Sequence, residues 1–148
     1  MADRREPIRK TPAEILADLM DGHREARLGG AEKGKKYLLN FIERANSIPN
    51  SVKFFLYDLL AEDSFQCGDT ETCHDAVAKA SGYLPVAREE EPHGFRSYRQ
   101  SIRLFERGIA LAIDEGEFEE ALSLCGQAIT LGLGRAYEAK QASIERMT

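Results

Sequence analysis

The chain of 148 residues has no tryptophan, only three cysteines and five prolines, and no apolar run of membrane-spanning length. A membrane-spanning helix needs roughly 18 consecutive apolar residues, so the sequence predicts no transmembrane segment. The charged residues at the start of the chain are not followed by the apolar stretch of a secretory signal. We therefore expect a soluble, cytoplasmic protein with no membrane partner.

An excess of positive charge is also missing, since the formal net charge is −5 at pH 7. Nucleic-acid binding usually depends on a basic surface, so we expect no nucleic-acid partner. The cysteines are Cys67, Cys73 and Cys125. Because an odd number cannot form a complete set of intramolecular disulfides, the sequence favours a reducing compartment.

Signatures of metal binding and catalysis are scarce. Cys67, Cys73 and His74 have suitable zinc-ligand chemistry, but a structural site needs about four ligands and no fourth candidate is near in the sequence. His23 and His93 are isolated, and we expect each of them at the surface or in a loop. There is no Gly-rich phosphate loop and no serine nucleophile motif. We expect no metal, no cofactor and no enzymatic activity, with an enzyme built from distant residues as the open alternative.

The chain does contain helical periodicity, and alternating β patterns are almost absent. Thr11-Pro12-Ala13-Glu14 has the pattern of a capping box and predicts a helix from about 12 to 28. A second helix is predicted to end at Pro49, and Asn50-Ser51 to cap a third that stops near Gly68. Because this third helix is apolar on more than one face, we expect it to lie centrally.

The second half of the chain shows the same alternation of helices and breakers. We predict a fourth helix closed by Gly82 and Pro85, then a flexible connection at 88–94. A fifth helix is predicted from about 94 to 115, carrying a continuous apolar stripe. Two more helices follow it. The expected fold is all-α, with about seven helices in antiparallel hairpins, a polar tail at 1–11 and one domain at 12–148.

A faint internal repeat links two of these hairpins at an offset of 48 residues. The first copy contains Tyr57, Ala61, Phe65, Gly68, Val77, Ala80 and Pro85; their counterparts are Phe105, Ile109, Ile113, Gly116, Cys125, Ala128 and Leu133. Repeated helical hairpins stack on one another and bury their apolar faces, which leaves an extended surface suited to binding.

The units at about 54–87 and 102–135 each resemble a tetratricopeptide repeat (TPR). The resemblance rests on spaced small residues, on the turn motif Gly116-Glu117-Phe118 and on the closing Pro85. It implies a TPR-like, right-handed array of stacked hairpins that binds other proteins. The sequence departs from the family pattern at Cys73 and Thr70, and an insert of about 14 residues separates the units. A different helical bundle stays open as an alternative.

Four arginines form the most distinctive charge pattern. Arg96, Arg99, Arg103 and Arg107 are spaced at i, i+3, i+7 and i+11, which on one continuous helix would place them within a sector of roughly 80°. The resemblance places Arg103 and Arg107 at inward positions, where carboxylate-binding TPR domains carry basic residues.

Guanidinium groups bind carboxylates through paired hydrogen bonds, so the ridge is a candidate site for an acidic peptide segment. Phe55 and Phe65 on the neighbouring helix would supply apolar contacts. The competing interpretation is a solvated face whose arginines pair with Glu89, Glu90, Glu91 or Glu106.

These observations predict a non-enzymatic adaptor or scaffold domain. It would bind a peptide or partner helix, with an acidic segment favoured, in a groove between helical hairpins. The alternatives are a structural or regulatory protein that self-associates as a homo-oligomer, and a small-molecule pocket between the helices.

Overall fold

A computed structural model describes residues 10–44, 47–90 and 92–148 of the chain. These residues form eight α-helices and a single 3₁₀ turn, and they contain no strand. The helices are α1 (Pro12–Arg27), α2 (Ala31–Arg44), α3 (Asn50–Gln66), α4 (Thr70–Glu90), α5 (Pro92–Tyr98), α6 (Leu104–Asp114), α7 (Phe118–Thr130) and α8 (Ala136–Met147), and the 3₁₀ turn is Arg99–Ser101. The all-α prediction is confirmed. The predicted polar tail falls, up to residue 9, outside the described residues.

Local sequence signals explain how α1 begins. The amide of Glu14 donates to the Thr11 hydroxyl at 3.2 Å, and the amide of Thr11 donates to a Glu14 carboxylate oxygen at 2.8 Å. Two amides without a partner inside the helix are satisfied in this way, so the predicted capping box is confirmed. The cap predicted at Asn50-Ser51 is wrong, because Pro49 is the residue before α3 and no side chain caps that helix.

The two repeat-like units end their first helices with the same turn. Gly68 and Gly116 follow α3 and α6 with φ of 77° and 75°, a region that favours glycine because it has no Cβ. In each turn the next amide donates at 2.8 Å to a carbonyl five residues earlier. This is the glycine-terminated helix end of a Schellman motif. The repeat in the sequence therefore corresponds to a repeated turn geometry.

Helix α3 is the centre of the packing, as its apolar pattern predicts. It contacts α1, α2, α4 and α6, and its side chains Val52, Phe54, Phe55, Leu56 and Ala61 are completely buried. Helix α6 contacts α3, α4 and α7, and α8 packs on α7. Each hairpin thus contacts the next through both of its helices, and the core runs continuously between them.

The prediction that Gly82 and Pro85 close the fourth helix is wrong, because α4 continues to Glu90. Both residues are exposed, while the buried face of the helix continues beyond them with Leu84 and Ala87. Packing of this face therefore offsets the backbone hydrogen bond that proline cannot donate. The flexible connection predicted at 88–94 is also wrong, since its described residues belong to the end of α4 and the start of α5.

The single fifth helix predicted at 94–115 is divided into α5 and α6, which is why eight helices are found where about seven were expected. After the 3₁₀ turn, Ile102 is extended, with φ −68° and ψ 124°, and its side chain is buried. The apolar stripe is therefore not continuous. Helix α5 belongs to the insert between the repeat-like units and contacts both α4 and α1.

Candidate functional site

The helix break separates the four arginines that the sequence places on one ridge. Arg96 lies in α5, Arg99 begins the 3₁₀ turn, Arg103 precedes α6 and Arg107 lies within it. The prediction of one continuous basic ridge is wrong, because the spacing argument required an unbroken helix. Arg103 and Arg107 lie beside α3, whereas Arg96 and Arg99 line a separate cleft.

Asp58 on α3 caps the start of α6. One of its carboxylate oxygens, Oδ1, accepts hydrogen bonds from the backbone amides of Arg103 and Leu104, both at 2.8 Å. Burial raises the pKa of Asp58 to about 7, although the two amide hydrogen bonds oppose the shift. The guanidinium of Arg103 donates back to the carbonyls of Gln100 and Ile102. Asp58 thereby holds the first helices of two adjacent hairpins together.

Arg107 pairs with Glu62 on α3. Its Nε and Nη2 donate to the two carboxylate oxygens at 2.6 and 3.2 Å, and its guanidinium carbon lies 4.6 Å from the centre of the Phe65 ring. Burial opposes ionisation of Glu62, but hydrogen bonds from Arg107 and Gln66 outweigh it and hold the pKa of Glu62 below its usual value. Among the described residues Arg107 therefore pairs with Glu62 rather than with Glu106, Glu89 or Glu90, and Glu91 lies outside the described residues.

The two phenylalanines predicted as groove contacts have other surroundings. Phe55 is completely buried, with its ring 5.2 Å from Phe95 and 6.1 Å from Tyr98 between centroids, so a role in surface contact is excluded in this conformation. Phe54 joins the same cluster at 5.3 Å from Phe95. These aromatic contacts anchor the insert on α3. Phe65 is half-buried under the Arg107 guanidinium.

Arg96 and Arg99 line a cleft between the insert and the ends of α4 and α7. The cleft has a volume of about 330 Å³, and we call it the basic cleft. Its lining residues are Arg88, Phe95, Arg96, Arg99, Thr130 and Leu131. The three arginines are exposed, whereas Leu131 is buried and Phe95 half-buried. An apolar floor with guanidinium groups above it can hold a chain that carries both carboxylates and apolar side chains.

A buried polar network, which the sequence reasoning missed, joins the first three helices. Asp63 on α3 is completely buried and contacts the Nε2 of His23 at 2.7 Å, and it accepts a hydrogen bond from the Nε of Arg27, also at 2.7 Å. The prediction that His23 lies at the surface is wrong. A Cβ at Gly34 on α2 would lie 2.5 Å from Asp63 Oδ2, so only glycine leaves room for this network. Its members are about 40 residues apart, and no local motif connects them.

The cysteines and His74 do not assemble a metal site within the described part of the chain. Cys73 and Cys125 are buried, and all three cysteines are free. The His74 ring lies 2.8 Å from Glu115 across the α4–α6 junction, away from any thiol ligand set. His93 lies in α5 rather than in a loop. Burial raises the pKa of Cys73 to about 11, so this thiol stays protonated near neutral pH.

The helices and the basic cleft define a class: an all-α protein of packed antiparallel helical hairpins with a cationic cleft beside an inserted helix. Comparison with models of known families, with curated proteins and with solved structures gives no match. None of the helices in the described ranges has the length and apolar character needed to cross a membrane. The functional assignment therefore depends on the geometry of this chain.

Proposed function

We propose that this chain is a non-enzymatic protein-interaction domain, built as a TPR-like right-handed array, that binds an acidic segment of a partner protein in the basic cleft. The observation that carries the proposal is the convergence of Arg88, Arg96 and Arg99 on one apolar-floored cleft. These side chains come from α4, α5 and the 3₁₀ turn, so they reach the cleft through the tertiary fold rather than through periodicity on one helix.

Helix packing supports the array. The first helices of successive hairpins, α1, α3 and α6, contact one another in order, and each second helix contacts the first helix that follows it. Gly108 lies where α6 approaches α4 and α7, and a Cβ there would be 2.9 Å from both Val77 Cγ1 and Leu124 Cδ1. A small residue at a close helix approach is one of the features on which the TPR resemblance rests.

The internal contacts of the second arginine pair explain why the proposed site is the basic cleft. Arg107 is held by Glu62 in a half-buried pair, and the Arg103 backbone is fixed by Asp58. A ligand carboxylate would have to compete with Glu62 for the Arg107 guanidinium to use the predicted ridge. The apolar floor of the basic cleft adds contact area beneath its charges.

Charge reversal in the cleft tests the proposal. The probe is a fluorescein-labelled peptide of alternating Glu and Leu, and binding is measured by fluorescence anisotropy to the full chain. The Arg88→Glu, Arg99→Glu double variant should bind at least tenfold more weakly than the wild type. Binding to the wild type should also weaken as salt is raised, because the opposite charges are exposed.

The matched control reverses two exposed arginines elsewhere, in the Arg135→Glu, Arg146→Glu variant. Both variants change the net charge by the same amount, so a general charge effect would weaken binding equally in the two. Circular dichroism should give the same helical signal for all three proteins. Equal affinities of the wild type and the cleft variant would refute the assignment of the cleft.

Self-association is the second candidate, and exposed apolar residues at two helix ends favour it. Leu28, just after α1, is 81% exposed, and Met147 at the end of α8 is 53% exposed. Pairing of either end with a second copy would cover these side chains. Sedimentation equilibrium at high protein concentration should then give a mass above that of one chain, and a strictly monomeric mass would exclude this function.

A further inference from the structure

A second cleft lies on the other side of the insert. It is formed by the last turns of α1, the middle of α3 and the residues around the 3₁₀ turn, and its volume is about 360 Å³. We call it the α1 groove. Tyr98 and Ser101 line the α1 groove, whereas Phe95 and Arg99 line the basic cleft, so the insert separates the two sites.

The walls of the α1 groove are mainly apolar. Met20 from α1 is buried at its base, Leu59 from α3 and the Tyr98 ring are half-buried along its sides, and Leu28 projects at its rim. Together these side chains give the groove a continuous apolar lining, which a single exposed leucine would not provide. A volume of this size is at the small end of the range for small-molecule sites. These features suit one alkyl chain better than a folded partner.

Two arginines from the last turns of α1 line the α1 groove. Arg24 is at its rim and pairs only with Asp21 among the described contacts, at 3.1 Å, with both side chains 70% exposed. Such an exposed pair contributes little stability, so Arg24 can turn to a ligand at small cost. Arg27 also lines the groove, and its position is fixed because it donates to both Asp63 and Gln66.

Asp63 does not cancel the attraction of the α1 groove for anions. It is completely buried behind the groove lining, where Arg27 and His23 contact its two oxygens at 2.7 Å. Its charge is compensated inside the protein, so Arg24 is the exposed arginine beside the apolar wall, held among the described contacts only by its solvent-exposed pair with Asp21. The chemistry that fits is an unbranched alkyl chain that ends in a carboxylate.

We propose that the α1 groove binds a medium-chain alkyl carboxylate, with the chain against Met20, Leu59 and Tyr98 and the carboxylate at Arg24. This site is independent of the acidic segment proposed for the basic cleft. Its occupant is recognised by one charge and one apolar chain rather than by a series of carboxylates. The two proposals can therefore fail separately.

Calorimetric titration of the full chain with decanoate, below the concentration at which it forms micelles, tests the proposal. Affinity should fall by about fourfold for each methylene removed in the series decanoate, nonanoate and octanoate, because each buried methylene contributes a similar free energy. Decanol, which lacks the charge, should bind at least fivefold more weakly than decanoate. Equal affinity across the chain-length series, or equal affinity of decanol and decanoate, would overturn the proposal.

Two variants locate the binding. Arg24→Glu removes the rim cation and Leu28→Ser removes the exposed apolar rim; because both residues are exposed, neither change should alter the fold. Each variant should bind decanoate at least fivefold more weakly than the wild type. Arg146→Glu, distant on α8, is the control and should leave the affinity unchanged. Unchanged decanoate affinity in both groove variants would show that the ligand binds elsewhere and would refute the assignment.

Discussion

Asp58→Asn should change how the stability of the protein depends on pH. Asp58 is only 2% exposed, and burial raises its pKa from 3.8 to about 7. The folded protein therefore holds a proton on this carboxyl at pH values where the unfolded chain has released it. Between about pH 4 and pH 7 the folded state binds more protons, so the contribution of Asp58 to stability falls as pH rises.

The size of the effect follows from the shift. A difference of about three pKa units corresponds to about 4 kcal/mol when both states are fully ionised. Asparagine is neutral throughout, and its side-chain oxygen can still accept from the amides of Arg103 and Leu104. The free energy of unfolding of Asp58→Asn, relative to wild type, should therefore rise by about 4 kcal/mol from pH 4 to pH 8.

Urea unfolding followed by circular dichroism at several pH values measures this difference. Subtracting the two proteins at each pH removes the contributions of titrating groups that do not interact with Asp58. The free energy of unfolding of the variant should rise relative to that of the wild type mainly between pH 4 and pH 7. A difference that stays constant over this range would refute the reasoning, because it would mean that Asp58 titrates alike in the folded and unfolded chains.

Three further substitutions have predicted effects on urea unfolding. Gly34→Ala should lower the free energy of unfolding by about 1–3 kcal/mol, because the added Cβ would overlap Asp63. An unchanged free energy of unfolding would contradict the close approach of α2 to Asp63. Gly82→Ala is the matched control on an exposed helix position with open space, and it should stabilise by up to about 1 kcal/mol. Glu62→Gln should cost about 1–2 kcal/mol at pH 7 by weakening its bonds with Arg107. The low pKa of Glu62 makes this contribution disappear as pH falls, so an equal cost at pH 3 would be inconsistent with the pair.

Local signals made much of the helical fold predictable. The capping box at Thr11 and the glycine turns at Gly68 and Gly116 act within a few residues, so the sequence pattern contains all the groups that matter. The central position of α3 followed from its apolar faces. Such features are determined by local backbone geometry and by burial. Capping residues, glycines and the spacing of apolar residues indicate both directly in the sequence.

The candidate site was less predictable because its determinants are distant in sequence. The break before α6 depends on Asp58, 45 residues from Arg103, and the periodicity of 94–115 contains no trace of this cap. His23 was misplaced for the same reason, since its partner Asp63 is on another helix. Arg88 joins Arg96 and Arg99 only after the insert folds back against α3.

The most direct measurement for the central claim is a two-dimensional amide NMR spectrum of the full chain titrated with the alternating Glu and Leu peptide. Binding in the basic cleft predicts that the largest shift changes occur at residues 88–90, 95–99 and 130–132. Amides in the second half of α3 and at the start of α6, around Asp58 and Arg107, should change little. Shift changes centred on 103–107 instead would contradict the account, because they would place the peptide on the surface where Arg107 and Glu62 pair.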